Sequence, residues 1–187
     1  MLIQNTALAK VRELVPLRHA DDRGYFSEIF RQSAFEVAAG QVSLVQENES
    51  LSVRAGTVRG LHFQLAPFAQ GKLVRCLAGA IFDVAVDLRE GSPTRGRWVG
   101  VTLSAERGNQ LWIPEGFAHG FCTLLPNTRV CYKVSAYYSA EHDRGVAWDD
   151  PEIGVAWPDL ADPETLSAKD RAQPRLADLP ARFAMEG

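Results

Sequence analysis

Short runs rich in Val, Ile, Leu and Phe alternate along this chain with clusters of Gly, Pro, Asn and Asp, while helical periodicity is confined to small patches. That pattern predicts a mainly β protein. Strands are expected at Leu44 to Asn48, Gly56 to Gln64, Lys72 to Ala78, Ala80 to Leu88, Trp98 to Leu103, Asn109 to Ile113, His119 to Leu124 and Thr128 to Ser135, with one helix at Ser27 to Ala39. Turn signals at Pro67, Gly79, Gly91-Ser92-Pro93, Gly108, Pro114-Glu115-Gly116 and Pro126-Asn127 recur at spacings suited to a sandwich or jelly-roll barrel. Beyond Tyr138, the segments around Trp148-Asp149-Asp150-Pro151 and Trp157-Pro158 predict loops and short helices packed over the barrel, and the last residues are expected to fray. The expected organisation is one domain over 1–187, with a barrel core at about 40–140 and a C-terminal cover at about 141–187.

Alternation also sorts side chains by face. Within Lys72 to Leu77 it puts Lys72, Val74 and Cys76 on one side and Leu73, Arg75 and Leu77 on the other, so the two faces cannot both be apolar core. Asp83 has apolar neighbours on both sides of its sheet. A carboxylate buried there needs a cationic or hydrogen-bonding partner, and Lys72 on a neighbouring strand is the expected one; the plainer alternative is a bond to backbone at a bulge.

Composition narrows the class without naming a chemistry. The chain has 187 residues, enough for a sizeable core, and a formal charge of -3 with no long block of like charge. That gives no electrostatic footprint for nucleic acid or an anionic membrane. The apolar runs are shorter than a membrane span and the first residues lack a signal-peptide pattern, so the expected location is the cytoplasm. Cys76, Cys122 and Cys131 lie in apolar strand contexts and read as buried free thiols of a reducing compartment.

Two stretches carry the candidate chemistry. Gly56 to Gln64, GTVRGLHFQ, and Gly108 to Phe121, GNQLWIPEGFAHGF, each deliver a histidine near a turn and are expected to form two halves of one pocket. A metal-binding barrel would offer a His-x-His pair and a carboxylate, whereas here Gln64 follows His62 and Lys72 brings a cation. On spacing alone His62 reads as a base or as a satisfied core histidine. Tyr132 reads more readily as an ordinary core tyrosine, and Asp170 as a solvated loop acid.

The residues Gly56, His62, Gly79, Gly108, Pro114, Gly116 and His119 resemble the two motifs of the cupin superfamily with its metal ligands largely replaced. From Asp22 to Asp170 the chain more specifically resembles the dTDP-4-dehydrorhamnose 3,5-epimerase family. The resemblance rests on Asp22-Arg23-Gly24 with Phe26, Gln46-x-Asn48-x-Ser50, Arg59 to Gln64, Lys72 to Arg75, Gly91-Ser92-Pro93-Thr94, Ile113 to Phe121, Tyr132-Lys133, Tyr137-Tyr138 and Leu166-Ser167-x-Lys169-Asp170.

This resemblance implies a cupin-type jelly roll and a cofactor-independent, metal-free epimerase that forms a homodimer with strands exchanged between subunits. It implies His62 as base, oriented by Asp170, with Lys72 stabilising an enolate and Tyr132 as proton donor. Around a dTDP-4-keto-6-deoxyhexose it implies Arg23, Phe26, Glu28, Gln46, Glu47, Asn48, Arg59, Lys72, His119, Tyr138, Asp143 and Lys169. Three positions depart from the family pattern. Glu49 replaces a histidine and is expected to weaken binding if it points inward; Asp143 replaces a glutamate, and Arg95 an aromatic. Other readings are a 3- or 5-epimerase acting at one carbon, a metal-dependent cupin dioxygenase or isomerase using His62, Gln64 and His119, and a non-catalytic sugar-nucleotide binder.

Overall fold

The strand Ala80–Asp87 buries both its faces, Ile81 and Ala85 on one side and Val84 and Val86 on the other. Such a strand needs cover on both sides. The computed structural model describes residues 1–179 and the backbone of a short strand at Phe183–Ala184. In chain order the elements are β1 Leu2–Asn5, β2 Arg12–Val15, β3 His19–Asp21, β4 Gly24–Phe26, α1 Gln32–Ala39, β5 Gln46–Ser52, β6 Val58–Gln64, β7 Lys72–Ala78, β8 Ala80–Asp87, β9 Arg89–Glu90, β10 Trp98–Ser104, β11 Gln110–Ile113, β12 Phe117–Thr123, β13 Thr128–Val134, β14 Asp143–Gly145, α2 Ala168–Arg171 and β15 Phe183–Ala184. Two antiparallel sheets, ordered β1-β2-β11-β7-β13-β5 and β10-β8-β12-β6-β14, form the expected jelly-roll sandwich.

Three apolar layers hold it together. Val74, Cys76, Ile81, Leu111, Phe121 and Val130 fill one part of the space between the sheets. Leu61, Val84 and Val86 on the outside of the five-stranded sheet are covered by Val146, Ile153 and Leu176 of the C-terminal segment. On the outside of the six-stranded sheet, Leu14, Leu73 and Trp112 are covered by Phe35 of α1, whose ring meets Trp112 edge-on at 4.9 Å.

Several expected boundaries are corrected. The barrel extends beyond 40–140 at both ends, since β1 and β2 complete the six-stranded sheet and β14 pairs with β6. These strands of three or four residues are too short to display alternation. The helix begins at Gln32 rather than Ser27 because tertiary bonds hold the preceding chain extended: Ser27 Oγ donates to Leu17 O at 2.8 Å and Gln110 Nε2 to Ile29 O at 2.6 Å. At the C-terminus, Leu176 is buried and packed, and the fraying expected of the last residues falls largely outside the described residues.

Candidate active site

Alternation on strands of both sheets turns the predicted side chains toward one lumen. His62 on β6 lies directly across the ladder from His119 on β12, so the two histidine stretches do share a pocket. From the facing sheet, Lys72 opens β7, and Tyr132 on β13 is flanked by Val74 of β7 and Asn48 of β5. The two histidine strands approach closely at a pair of glycines. A Cβ on Gly60, where φ is +128°, would stand 2.5 Å from Gly120 Cα.

Asp170 reaches the lumen through α2. Ser167 caps that single turn, its hydroxyl accepting the Asp170 backbone N–H at 3.1 Å, and the carboxylate lies 2.5 Å from His62 Nε2. Burial alone would raise the Asp170 carboxyl, but the hydrogen bond and charge of His62 and the bonds from Ser167 bring it below the ordinary range. The sequence reading missed Ser167 as the device that aims Asp170. Its signal is the Ser-x-x-Asp spacing of a helix cap.

A second pair lies deeper. His119 Nε2 is 2.7 Å from Asp83 Oδ1, both residues are buried, and Asp83 Oδ2 has no partner among the described residues. Burial raises the Asp83 carboxyl and lowers the His119 imidazole. The expected Lys72–Asp83 bond is therefore corrected. His119 belongs to the strand beside Asp83, whereas Lys72 comes from the opposite sheet and acts on Asp83 only through charge. Its ammonium instead donates to His62 O at 3.2 Å. Burial pulls Lys72 down to about 8, against the charges of Asp143 and Asp83, which favour its proton.

A chain of polar contacts forms the lumen's mouth. Gln46 Nε2 donates to Asn48 Oδ1 at 2.8 Å, while Gln46 Oε1 accepts the Tyr138 N–H at 3.0 Å. Tyr138 Oη and Lys169 Nζ both donate to Asp143 Oδ2, so the shorter carboxylate at this position is engaged within the chain through that one oxygen. Arg59 is held by Ser52 Oγ and Leu51 O, each at 3.1 Å. Burial raises the Tyr132 phenol, with the positive charge of Arg59 opposing. Among the described residues the Tyr132 hydroxyl has no hydrogen-bond partner.

Four predicted binding residues do not join this cluster. Arg23 and Phe26 lie on the β3–β4 hairpin, Arg23 paired with Asp21 and the two side chains 90% and 71% exposed. Glu28 follows that hairpin and pairs with Arg31. Glu47 is corrected to the outer face of β5, where it meets Lys133 at 3.1 Å and accepts the Cys131 thiol at 3.0 Å. Strand alternation makes this unavoidable once Gln46 and Asn48 point inward. Glu49 likewise faces out, bonded to Arg129 at 2.7 Å, and Arg95 is exposed in a turn.

Nor do the residues fit the metal that many cupins carry. Gln64 spends its amide on Phe68 O, Tyr137 O and Ser139 N. Lys72 brings a positive charge, and among the described residues no group of three or more His, Cys, Asp or Glu side chains is arranged to hold a metal ion.

A jelly-roll lumen that sets a His–Asp pair beside a buried ammonium and a phenol has the parts of a carbohydrate epimerase, which moves protons on and off carbon. Residues 5–178 match the family model of dTDP-4-dehydrorhamnose 3,5-epimerase. The chain belongs to that family. It is 58% identical over 183 residues to a dTDP-4-dehydrorhamnose 3,5-epimerase of Sinorhizobium fredii, covering 98% of this chain and 93% of the relative. A Legionella pneumophila epimerase crystallised with dTDP-4-keto-L-rhamnose superimposes with a TM-score of 0.91 at 40% identity, with 99% of each chain covered. The Bacillus anthracis enzyme crystallised with TDP and pyrophosphate gives 0.88 at 48% identity, covering 93% of this chain and 98% of that one.

Proposed function

We propose that this protein inverts C3 and C5 of dTDP-4-dehydro-6-deoxy-D-glucose, giving dTDP-4-dehydro-L-rhamnose for dTDP-L-rhamnose biosynthesis. The observation that carries the reading is the His62–Asp170 pair set beside buried Lys72. The Asp170 contact favours the imidazole tautomer with its proton on Nε2, leaving the Nδ1 lone pair to take a proton from carbon. The C4 ketone acidifies both neighbouring carbons. As each proton leaves, charge develops on the ketone oxygen, where the Lys72 ammonium stabilises it in a medium of low dielectric. Tyr132 returns a proton from the opposite face of the ring, which completes inversion.

Arg59, Gln46, Asn48, His119, Tyr138, Asp143 and Lys169 hold the nucleotide sugar around the lumen and its mouth, with Arg59 suited to the diphosphate. Arg23, Phe26 and Glu28 serve the site of a second subunit. Their exposed hairpin pairs with neither large sheet, and the edge strands β1 and β5 leave room for a homodimer. The three buried free thiols support a cytoplasmic setting.

Proton NMR in deuterium oxide with dTDP-4-dehydro-6-deoxy-D-glucose tests the reading. Loss of both the C3 and C5 signals, with L-rhamnose formed on coupling to a 4-ketoreductase, is expected. Exchange at a single carbon would make the protein a one-carbon epimerase, and exchange at neither would overturn the assignment.

A further inference from the structure

Asp83 lies in the middle of β8 and is wholly buried, yet the proposed reaction gives it no task. It shares the inward face of its strand with Ile81 and Ala85, which line the space between the sheets. Lys72 looks into the same space from the opposite sheet, on the face of β7 that carries Val74 and Cys76. Its ammonium donates to His62 O, and His62 lies directly across the ladder from His119, whose Nε2 is 2.7 Å from Asp83 Oδ1. The carboxylate and the ammonium thus approach one lumen from opposite walls.

A carboxylate so placed is costly to keep, and one hydrogen bond from one neighbour does not offset the cost, which points to a use for the charge itself. The ionisable groups around Lys72 leave few candidates for its counter-ion. Arg59 and His62 come from β6, His119 from β12, Tyr132 from β13, Asp143 from β14, and Lys169 and Asp170 from α2. Asp170 is bonded to His62, Asp87 further along β8 to Arg89, and Asp143 to Lys169, whose own charge opposes that of Lys72. Asp83 has no ion pair with lysine or arginine among the described residues, and burial pushes its one close partner, His119, toward the neutral form. Its charge also reaches the Cys76 thiol, which burial and then Asp83 push up to about 12. At Lys72, which burial lowers, the charges of Asp143 and Asp83 favour the proton.

We infer that Asp83 stays ionised inside the barrel as the counter-ion of Lys72, and that it is a positioning residue for the reaction, acting through Lys72 by keeping the enolate-stabilising ammonium charged. Its bond with His119 gives that imidazole its proton on Nε2 and leaves Nδ1 as an acceptor. Ionised carboxylate, neutral imidazole and ammonium then form one unit of no net charge that spans the two sheets. The role in turnover rests on the proposed epimerisation, whereas the charge of Asp83 and its hold on Lys72 do not.

NMR of the full-length protein tests this without substrate. Labelled lysine side chains report the Lys72 titration midpoint, expected near the value of about 8 in the native protein. In Asp83→Asn, whose amide oxygen can still accept the His119 Nε2–H, that midpoint should fall by about one unit or more, since a nearby negative charge no longer favours the proton. The alkaline limb of kcat/KM should move down with it. A carboxylate that only shapes the strand would leave the midpoint in place, so an unchanged midpoint in the folded variant overturns the counter-ion, and a limb that stays put while the midpoint falls overturns the positioning role. Should the variant not fold, the NMR shift of the Asp83 carboxyl carbon in the native protein decides: the ionised value at neutral pH is expected, and the protonated value overturns the assignment. Neither NMR measurement needs turnover, so failure of the proposed reaction and failure of this assignment give different results.

Discussion

Lys72 is a cation whose proton is loosely held, because burial pulls it down to about 8 while only the charges of Asp143 and Asp83 resist. If the enolate needs that charge, kcat/KM should fall as pH rises through about 8, since the neutral amine then predominates in the free enzyme. A rate that stays flat well above that value would remove Lys72 from the role. The stability consequence runs the other way. A lysine depressed in the folded state costs stability at low pH, and that cost is relieved as pH rises from about 8 toward its ordinary value of 10.5. His62→Ala is expected to reduce turnover by about 10²–10⁴-fold and to slow deuterium exchange at both carbons to a similar degree. Tyr132→Phe should retain exchange while impairing completed inversion. Wild-type exchange in the histidine variant would sink the base assignment.

Two short elements decide whether those residues meet. The one-turn helix α2 depends on its Ser167 cap to bring Asp170 to His62, so Ser167→Ala should cost about 1 kcal/mol in stability and lower kcat more than it raises KM. Denaturant melting beside steady-state kinetics measures both, and an unchanged kcat would mean that the cap does not position the dyad. Helix α1 has a different duty. Phe35 is fully buried and joins α1 to Trp112 and Leu73 on the outer sheet face. Phe35→Ala should destabilise by about 3–5 kcal/mol, read as a lower denaturation midpoint at constant slope, because the packed site cannot collapse fully. At this scale the sequence was partly legible. The long strands β7, β8 and β10 were expected nearly to the residue, since each is an apolar-rich run of seven or more positions bounded by turn residues such as Gly79, Gly91-Ser92-Pro93 and Gly108. Strands β1 to β4 and β14 were not: β2 and β14 are held by partners distant in the chain, β1 pairs with β2 alone, and β3 and β4 form a tight hairpin, all of them too short to show a period.

At the scale of the molecule, the β3–β4 hairpin presents Arg23 and Phe26 to solvent away from the lumen that holds His62. If it completes a second subunit's site, inactive homodimers of His62→Ala and Arg23→Ala should regain activity when mixed under conditions of subunit exchange. The mixed dimer then holds one intact lumen served by one intact hairpin, and a mixture that stays inactive would count against the exchange. The sequence by itself determined the mainly β architecture and the facing of each long strand, because period-two alternation is a local property that any single strand displays. Through its motifs it also named His62, Lys72, Tyr132 and Asp170. Only the tertiary structure decided which groups bond to which. It gave Asp83 to His119 instead of Lys72, turned Glu47 and Glu49 outward, and engaged Asp143 with Tyr138 and Lys169. It also aimed Asp170 at a histidine 108 positions earlier in the chain. Such pairings depend on strand order and on the packing of the two sheets, and neither is written in the spacing of residues along one strand.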